Sequence, residues 1–268
     1  MKMDDKTVLV TGSTDGVGRY VAAKLAADGA KVLIHGRDRN RAKTLADEIR
    51  RAGHGEAIFY QADLSSLAGA QQLAQAVLAD HKRLDVFISN AGIGSRTGGA
   101  ERRESADGYE LRFAVNYLSG FLLAHLLLPL LKASAPSRIV NVASLGQHPI
   151  DFDDVMLTKG YSGSRAYAQS KLAQIMFTID LARELGGSGV TVNSLHPATY
   201  MNTTMVREAA SRRSVPWSRA ARRSCASRPV TTWLARPDCS SMACERRKPI
   251  PRLTMVALAS DYANSALS

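Results

Sequence analysis

Cysteine is scarce in this 268-residue chain: there are three, Cys225, Cys239 and Cys244, without CxxC spacing and without histidines set out as metal partners. Neither a disulfide framework nor a metal site is expected. Long apolar runs are missing too. The richest, FLLAHLLLPLL at 121–131, is about half the length of a membrane-spanning helix and contains His125, so it reads as a core helix or subunit contact, and no membrane partner is expected. The N-terminal MKMDDKTVLVTG enters strand-like sequence within a few residues and shows no signal peptide, which makes a cytoplasmic location the expectation. Aromatic residues are few, at 6%.

What basic excess there is lies at one end. Residues 1–206 hold 23 Lys+Arg against 20 Asp+Glu, a net of +3, while residues 207–268 hold 12 against 4, a net of +8; together these give the chain's +11. Both tryptophans, Trp217 and Trp233, share that end with the cysteines. The tail's charges are scattered among Ser, Ala and Pro with neither helical period nor aromatic interleaving, so no nucleic-acid partner is expected.

The first 200 residues alternate between strand-length and helix-length patterns. KTVLVTG, AKVLIHG, EAIFYQAD, LDVFISNAG, SRIVNVAS and GVTVNSLHP are nearly continuous in apolar character and read as six buried strands. Helical patterns fall near 17–28, 39–52, 66–80, 105–132 and 165–186. This alternation predicts an α/β fold, a doubly wound parallel sheet with helices on both faces, because parallel neighbours need crossover connections. The domain is expected to cover 1–206, with 207–268 an atypical C-terminal part.

Ligands of such sheets bind at the carboxyl ends of the strands. The first strand ends in TGSTDGVGR, where Gly12, Gly16 and Gly18 would let the chain turn tightly and bring backbone N–H groups and a helix N-terminus to a pyrophosphate. The second ends in LIHGRDRNR: where an NAD site places a carboxylate, this chain has Gly36 and Arg37, with Arg19 near the turn. NADP(H) is expected in preference to NAD(H), which stays open. Arg37 also reads as a solvated helix-start residue and Asp38 as an N-cap.

In YAQSK, Tyr167 and Lys171 are four apart and share a helix face. An ammonium roughly 4 Å from a phenol is worth about 4 kcal/mol at an effective dielectric of 20, enough to lower a tyrosine pKa toward neutrality.

Read in order, TGSTDGVG, the aspartate of ADL, NAG, Asn116 in FAVNYLSGF, Ser144, and YAQSK make the chain resemble the short-chain dehydrogenase/reductase family over nearly 200 residues. The segment from SRIVNVASLGQH to VNSLHP, with 22 residues between Ser144 and Tyr167, resembles the retinol-dehydrogenase-like branch. One departure is Ala198, where the family usually has glycine. The resemblance implies a Rossmann fold and an NAD(P)(H)-dependent oxidoreductase interconverting an alcohol and a carbonyl of a lipophilic small molecule. It implies Tyr167 as proton donor or base, Lys171 on the nicotinamide ribose, Ser144 on the substrate oxygen, and Asn116 supporting a water. It places the cofactor against Gly12, Ser13, Thr14, Gly16, Val17, Gly18, Arg37, Asp63, Leu64, Asn90, Ala91, Gly92, Tyr167, Lys171 and Pro197. A homo-oligomer through the 105–132 and 165–186 helices is also expected. His148 and His196 read as loop or pocket-wall residues.

In this family the segment after HPAT supplies a substrate-covering loop, a last strand and a helix. Residues 207–268 contain no strand-length run of Val and Ile, and SRRSVPWSRAARRSCASRP looks like a GC-rich gene read out of frame. The alternative to an enzyme is therefore a catalytically silent nucleotide-binding scaffold.

Overall fold

All six apolar runs become strands, and the reason is visible in their neighbours. The computed structural model describes residues 3–97, 101–197 and Met205. Strands β1 (Thr7–Val10), β2 (Lys31–Gly36), β3 (Glu56–Gln61), β4 (Val86–Ser89), β5 (Ser137–Val142) and β6 (Val190–Leu195) form one parallel sheet in the order β3-β2-β1-β4-β5-β6. Both faces of the sheet are covered, so alternate side chains of one strand enter different cores. Leu9, Leu33, Phe87 and Ile139 pack beneath α3 (Leu67–Asp80), α5 (Ser119–Ala133) and α6 (Gly163–Glu184). Val8, Val10, Val32, Ile34 and Ile88 pack beneath α1 (Gly16–Ala27) and α2 (Arg39–Ala52). A strand buried on both faces has no polar side, which is why these runs show no alternation. Strand order reverses between β1 and β4, opening a crevice at their carboxyl ends.

The helices start where side chains cap them. Asp15 accepts from Gly16 N at α1, Asp38 from Asn40 N and Arg41 N at α2, Ser66 from Gly69 N at α3 and Ser162 from Arg165 N at α6.

Two expectations change. The helix expected at 105–132 begins at Leu111: Ser105 accepts from Asp107 N and Tyr109 N, Gly108 has φ 80°, and Glu110 caps Phe113 N at 2.7 Å, so residues 105–110 fold as a turn. From there α4 (Leu111–Phe113) passes through a π-helical turn (Ala114–Leu118) into α5. The resulting 23-residue run contains an 18-residue stretch of mean hydropathy 1.7, long and apolar enough by composition to cross a membrane, contrary to the reading of 121–131 alone. Its most apolar stretch is 72% buried inside the protein, as a core helix would be. The expectations for Ala198, for the cysteines and tryptophans and for the tail at 207–268 lie outside the described residues.

Candidate active site

The glycine turn is built by contacts that admit no side chain. Gly12 has φ 63° and Gly16 φ 54°, the left-handed region. A Cβ on Gly18 would lie 2.3 Å from Gly12 O and 2.4 Å from Asn90 Nδ2. Asn90 ties β4 to this turn, donating from Nδ2 to Thr11 O at 2.8 Å and Gly12 O at 3.2 Å, while Thr11 Oγ1 accepts from Asn90 N and Ala91 N. The result is a rigid backbone cradle at the N-terminus of α1, which fits a pyrophosphate. Val17 is half-buried on the first turn of α1.

Other predicted cofactor residues hold partners of their own. Ser13 is fully buried; its N donates to His35 O, and its Oγ accepts from His35 N at 2.8 Å. Leu64 is buried in the core. Thr14 packs on Gly36, where a Cβ would come within 2.5 Å of Thr14 Oγ1. Arg37 reaches out from the end of β2, 72% exposed, with the Asp63 carboxylate 4.0 Å away. Asp63 also accepts from Ser65 N at 3.0 Å, and Asp38 is the N-cap of α2. Arg19 is held by Glu48 in a two-oxygen ion pair at 2.6 and 2.7 Å. Arg37, beside Gly36 at the end of β2, is a cation that fits a phosphate group.

Beyond the crevice, the four residues expected to carry chemistry converge. Ser144 follows β5 and lies beside Tyr167 near the start of α6: a Cβ on Gly146 would be 3.5 Å from Ser144 Oγ and 3.9 Å from Tyr167 Cε1. Burial raises the Tyr167 pKa, and Ser144 opposes the rise. This corrects the expectation that Lys171 dominates the phenol. Lys171 Nζ lies 5.9 Å from the Tyr167 ring centre and donates instead to Val142 O at 2.9 Å and Gln174 Oε1 at 2.8 Å. Lys171 is itself buried, and burial lowers its pKa to about 7. Asn116 lies in the π-helical turn, a local widening that recurs at functional sites. Its Oδ1 accepts from Ile93 N at 2.7 Å, and its Nδ2 donates to Ile93 O and to Ser170 Oγ at 3.0 Å. Gly92 lies between Asn116 and Lys171: a Cβ there would be 3.2 Å from Asn116 Oδ1 and 3.6 Å from Lys171 Nζ. Pro197 follows β6 at the same edge. His196 Nδ1 accepts from Leu145 N at 3.4 Å, and His148 contacts the Pro149 carbonyl, both consistent with wall residues.

Several residues around the site gave no signal in sequence. His35 Nδ1 accepts from Gly12 N at 3.1 Å while Nε2 meets Ala62 O at 3.2 Å, so the ring braces the glycine turn across β2. Arg112, fully buried, donates to the carbonyls of Gly94, Ser95 and Thr97 and to Tyr161, which donates on to Glu110. Gln174 stands three residues beyond Lys171, a spacing that places the two side chains together on a helix.

A family model described as short chain dehydrogenase matches residues 6–214. Human Retinol dehydrogenase 14 is 44% identical over 211 residues, covering 73% of this chain and 62% of that protein. Human Retinol dehydrogenase 11 is 41% identical over 220 residues, covering 81% and 68%. Among solved structures, the Pseudomonas aeruginosa RhlG/NADP active-site complex aligns with a TM-score of 0.63 and 33% identity over 77% of both chains. A metagenomic short-chain oxidoreductase in complex with NADP aligns at 0.62 and 30% identity, over 74% of this chain and 85% of that one. With a parallel six-stranded sheet, a glycine turn at its switch point and serine, tyrosine and lysine gathered at one edge, the chain belongs to the short-chain dehydrogenase family, in its retinol-dehydrogenase-like branch.

Proposed function

We propose that the protein interconverts an alcohol and a carbonyl of a lipophilic small molecule by hydride transfer, using NADP(H) in preference to NAD(H). The observation that carries this reading is the juxtaposition of Ser144 and Tyr167, both within 4 Å of one point over Gly146, at the crevice edge beside Lys171. The cofactor, when bound, supplies or accepts the hydride. Gly12, Gly16 and Gly18 would hold its pyrophosphate, Gly92 and Lys171 would flank its nicotinamide end, and Arg37 would meet its 2′-phosphate. Because burial raises the Tyr167 pKa, the phenol keeps its proton at neutral pH and can donate it to a carbonyl oxygen. Ser144 orients that oxygen. A lipophilic substrate is supported by Leu145, 55% exposed next to Ser144, by Met205 against Gly94, and by the names of the relatives.

Fluorescence titration with NADPH, followed by turnover on a panel of lipophilic aldehydes and ketones, tests the proposal. Tyr167→Phe is expected to lower kcat by about 10²-fold or more, the usual worth of a positioned proton donor. Equal turnover by the variant on every carbonyl would sink the reading.

One observation favours the second reading, a silent nucleotide-binding scaffold: the family match ends at residue 214 of 268, inside the basic segment that reads as out of frame. NADPH binding with no turnover across the panel would favour it.

A further inference from the structure

Lysine ammonium groups only donate, with three N–H bonds to place. Two of those on Lys171 go to Val142 O at 2.9 Å and Gln174 Oε1 at 2.8 Å, which leaves one for a ligand. The Gln174 oxygen, not its nitrogen, must face Nζ, since an ammonium cannot accept. Gln174 is 2% exposed, and its stretch of α6 is tied to the sheet: its backbone carbonyl accepts from Thr178 Oγ1 at 2.7 Å, and Thr178 accepts from Asn141 Nδ2 on β5 at 2.9 Å. The acceptor therefore sits, away from water, on a helix turn anchored to the sheet.

We propose that Gln174 is a positioning residue for Lys171, its amide oxygen holding the lysine in the ammonium form and in the orientation the Tyr167–Ser144 pair requires. This rests on Lys171 being the partner of Tyr167 in the reaction proposed above. The surroundings of Nζ make an uncharged acceptor matter. Tyr167 and Gln174 face it from α6, the Val142 carbonyl from β5, Asn116 from the π-helical turn and Gly92 from the end of β4. Of these, Tyr167 alone titrates. Burial is the cause of the lysine's lowered pKa, and no carboxylate among the described residues offsets it. Among those residues the two oxygen acceptors are what favour the charged amine against desolvation.

The test uses the full chain carrying ¹³C-labelled lysine, with the Lys171 Cε signal assigned by Lys171→Arg and followed against pH without cofactor. Gln174→Met keeps the side-chain length and removes the acceptor; the Lys171 midpoint is expected to fall by about one to two pH units, the worth of one hydrogen bond to a charged group. Gln174→Glu supplies a carboxylate, and the midpoint is expected to rise above that of the unaltered protein. Equal midpoints in all three proteins would overturn the proposal. The alkaline limb of NADPH-dependent carbonyl reduction is expected to move in step, down for Gln174→Met and up for Gln174→Glu, whereas loss of structure alone would lower the rate at every pH. Midpoints that move while the limb stays fixed leave Gln174's hold on Lys171 standing and remove Lys171 from the proposed chemistry.

Discussion

His35 has three jobs that only a neutral imidazole can perform together: filling a buried space beneath the crevice, accepting from Gly12 N at Nδ1 and meeting Ala62 O at Nε2. Accepting at Nδ1 places the proton on Nε2, which then donates to Ala62 O. Desolvation pulls the pKa from 6.5 to about 4. Because the folded value lies below the unfolded one, the stability this provides is complete above about pH 6.5 and is lost as pH falls toward 4. A shift of that size corresponds to about 3 kcal/mol. Urea denaturation between pH 7 and 4 is expected to show this loss, and His35→Gln, which cannot titrate, is expected to remove a comparable part of the slope; an unchanged slope would contradict the assignment. The contrast with Tyr167 and Lys171 explains which site residues were legible in sequence. Those two are neighbours through one helix turn, so their spacing alone brings them together. His35 meets Gly12, 23 residues away, and Ala62, 27 away, through the register of three strands, which no local pattern encodes. The phenol's pKa departs from the sequence expectation for a related reason: helix spacing sets the distance to a cation but says nothing about burial, which here outweighs it.

Among the elements, the segment after β4 and the insert after Ser144 owe their shape to one buried cation. Arg112, on the short α4, donates to the carbonyls of Gly94, Ser95 and Thr97, while its Tyr161 and Glu110 partners fasten the end of the insert. Arg112 and Glu110 are each 1% exposed, so removing one partner strands polar groups away from water. Arg112→Met is expected to destabilise the fold by about 3 kcal/mol or more and to raise KM for carbonyl substrates more than for NADPH, because the segments it holds, 94–97 and the end of the insert, lie outside the glycine cradle. Adding Glu110→Gln should recover part of the stability, and a double variant as unstable as both single losses combined would argue against the coupling. This region is also where sequence reading of elements failed. The helical pattern from 105 onward was continuous enough in composition, but Ser105 captures two backbone N–H groups and Gly108 adopts positive φ, so the helix waits for Glu110 to cap it. The π-helical turn at Ala114–Leu118 has no periodic signature of its own, although it carries Asn116 to Ile93 and Ser170.

At the scale of the molecule, the doubly wound sheet is readable because six apolar strands, the inner ones buried on both faces, and the helices between them leave few allowed topologies. Strand order then decides where a ligand goes. The cradle is assembled from the ends of β1, β2 and β4, and its parts lie far apart in an unfolded chain: Asn90 reaches Thr11 and Gly12, and Arg37 reaches Asp63. A dinucleotide that needs all of them can bind the folded state only, so its binding adds to folding stability in proportion to the logarithm of its concentration. With NADPH at about one hundred times its Kd, the gain is about 2.7 kcal/mol, which for a domain of this size corresponds to a rise in Tm of roughly 5 to 10 °C. Arg37 is exposed and its partner Asp63 is 4.0 Å away, so a 2′-phosphate would compete for it at little cost. Arg37→Ala is therefore expected to raise the Kd for NADPH about tenfold, a loss of about 1.4 kcal/mol, and to shrink the thermal shift with NADPH at fixed concentration while leaving the smaller shift with NADH unchanged. Differential scanning of both proteins with each cofactor makes the comparison, and equal losses for NADPH and NADH would mean that Arg37 does not read the phosphate and that the preference must be sought elsewhere on the rim of β2.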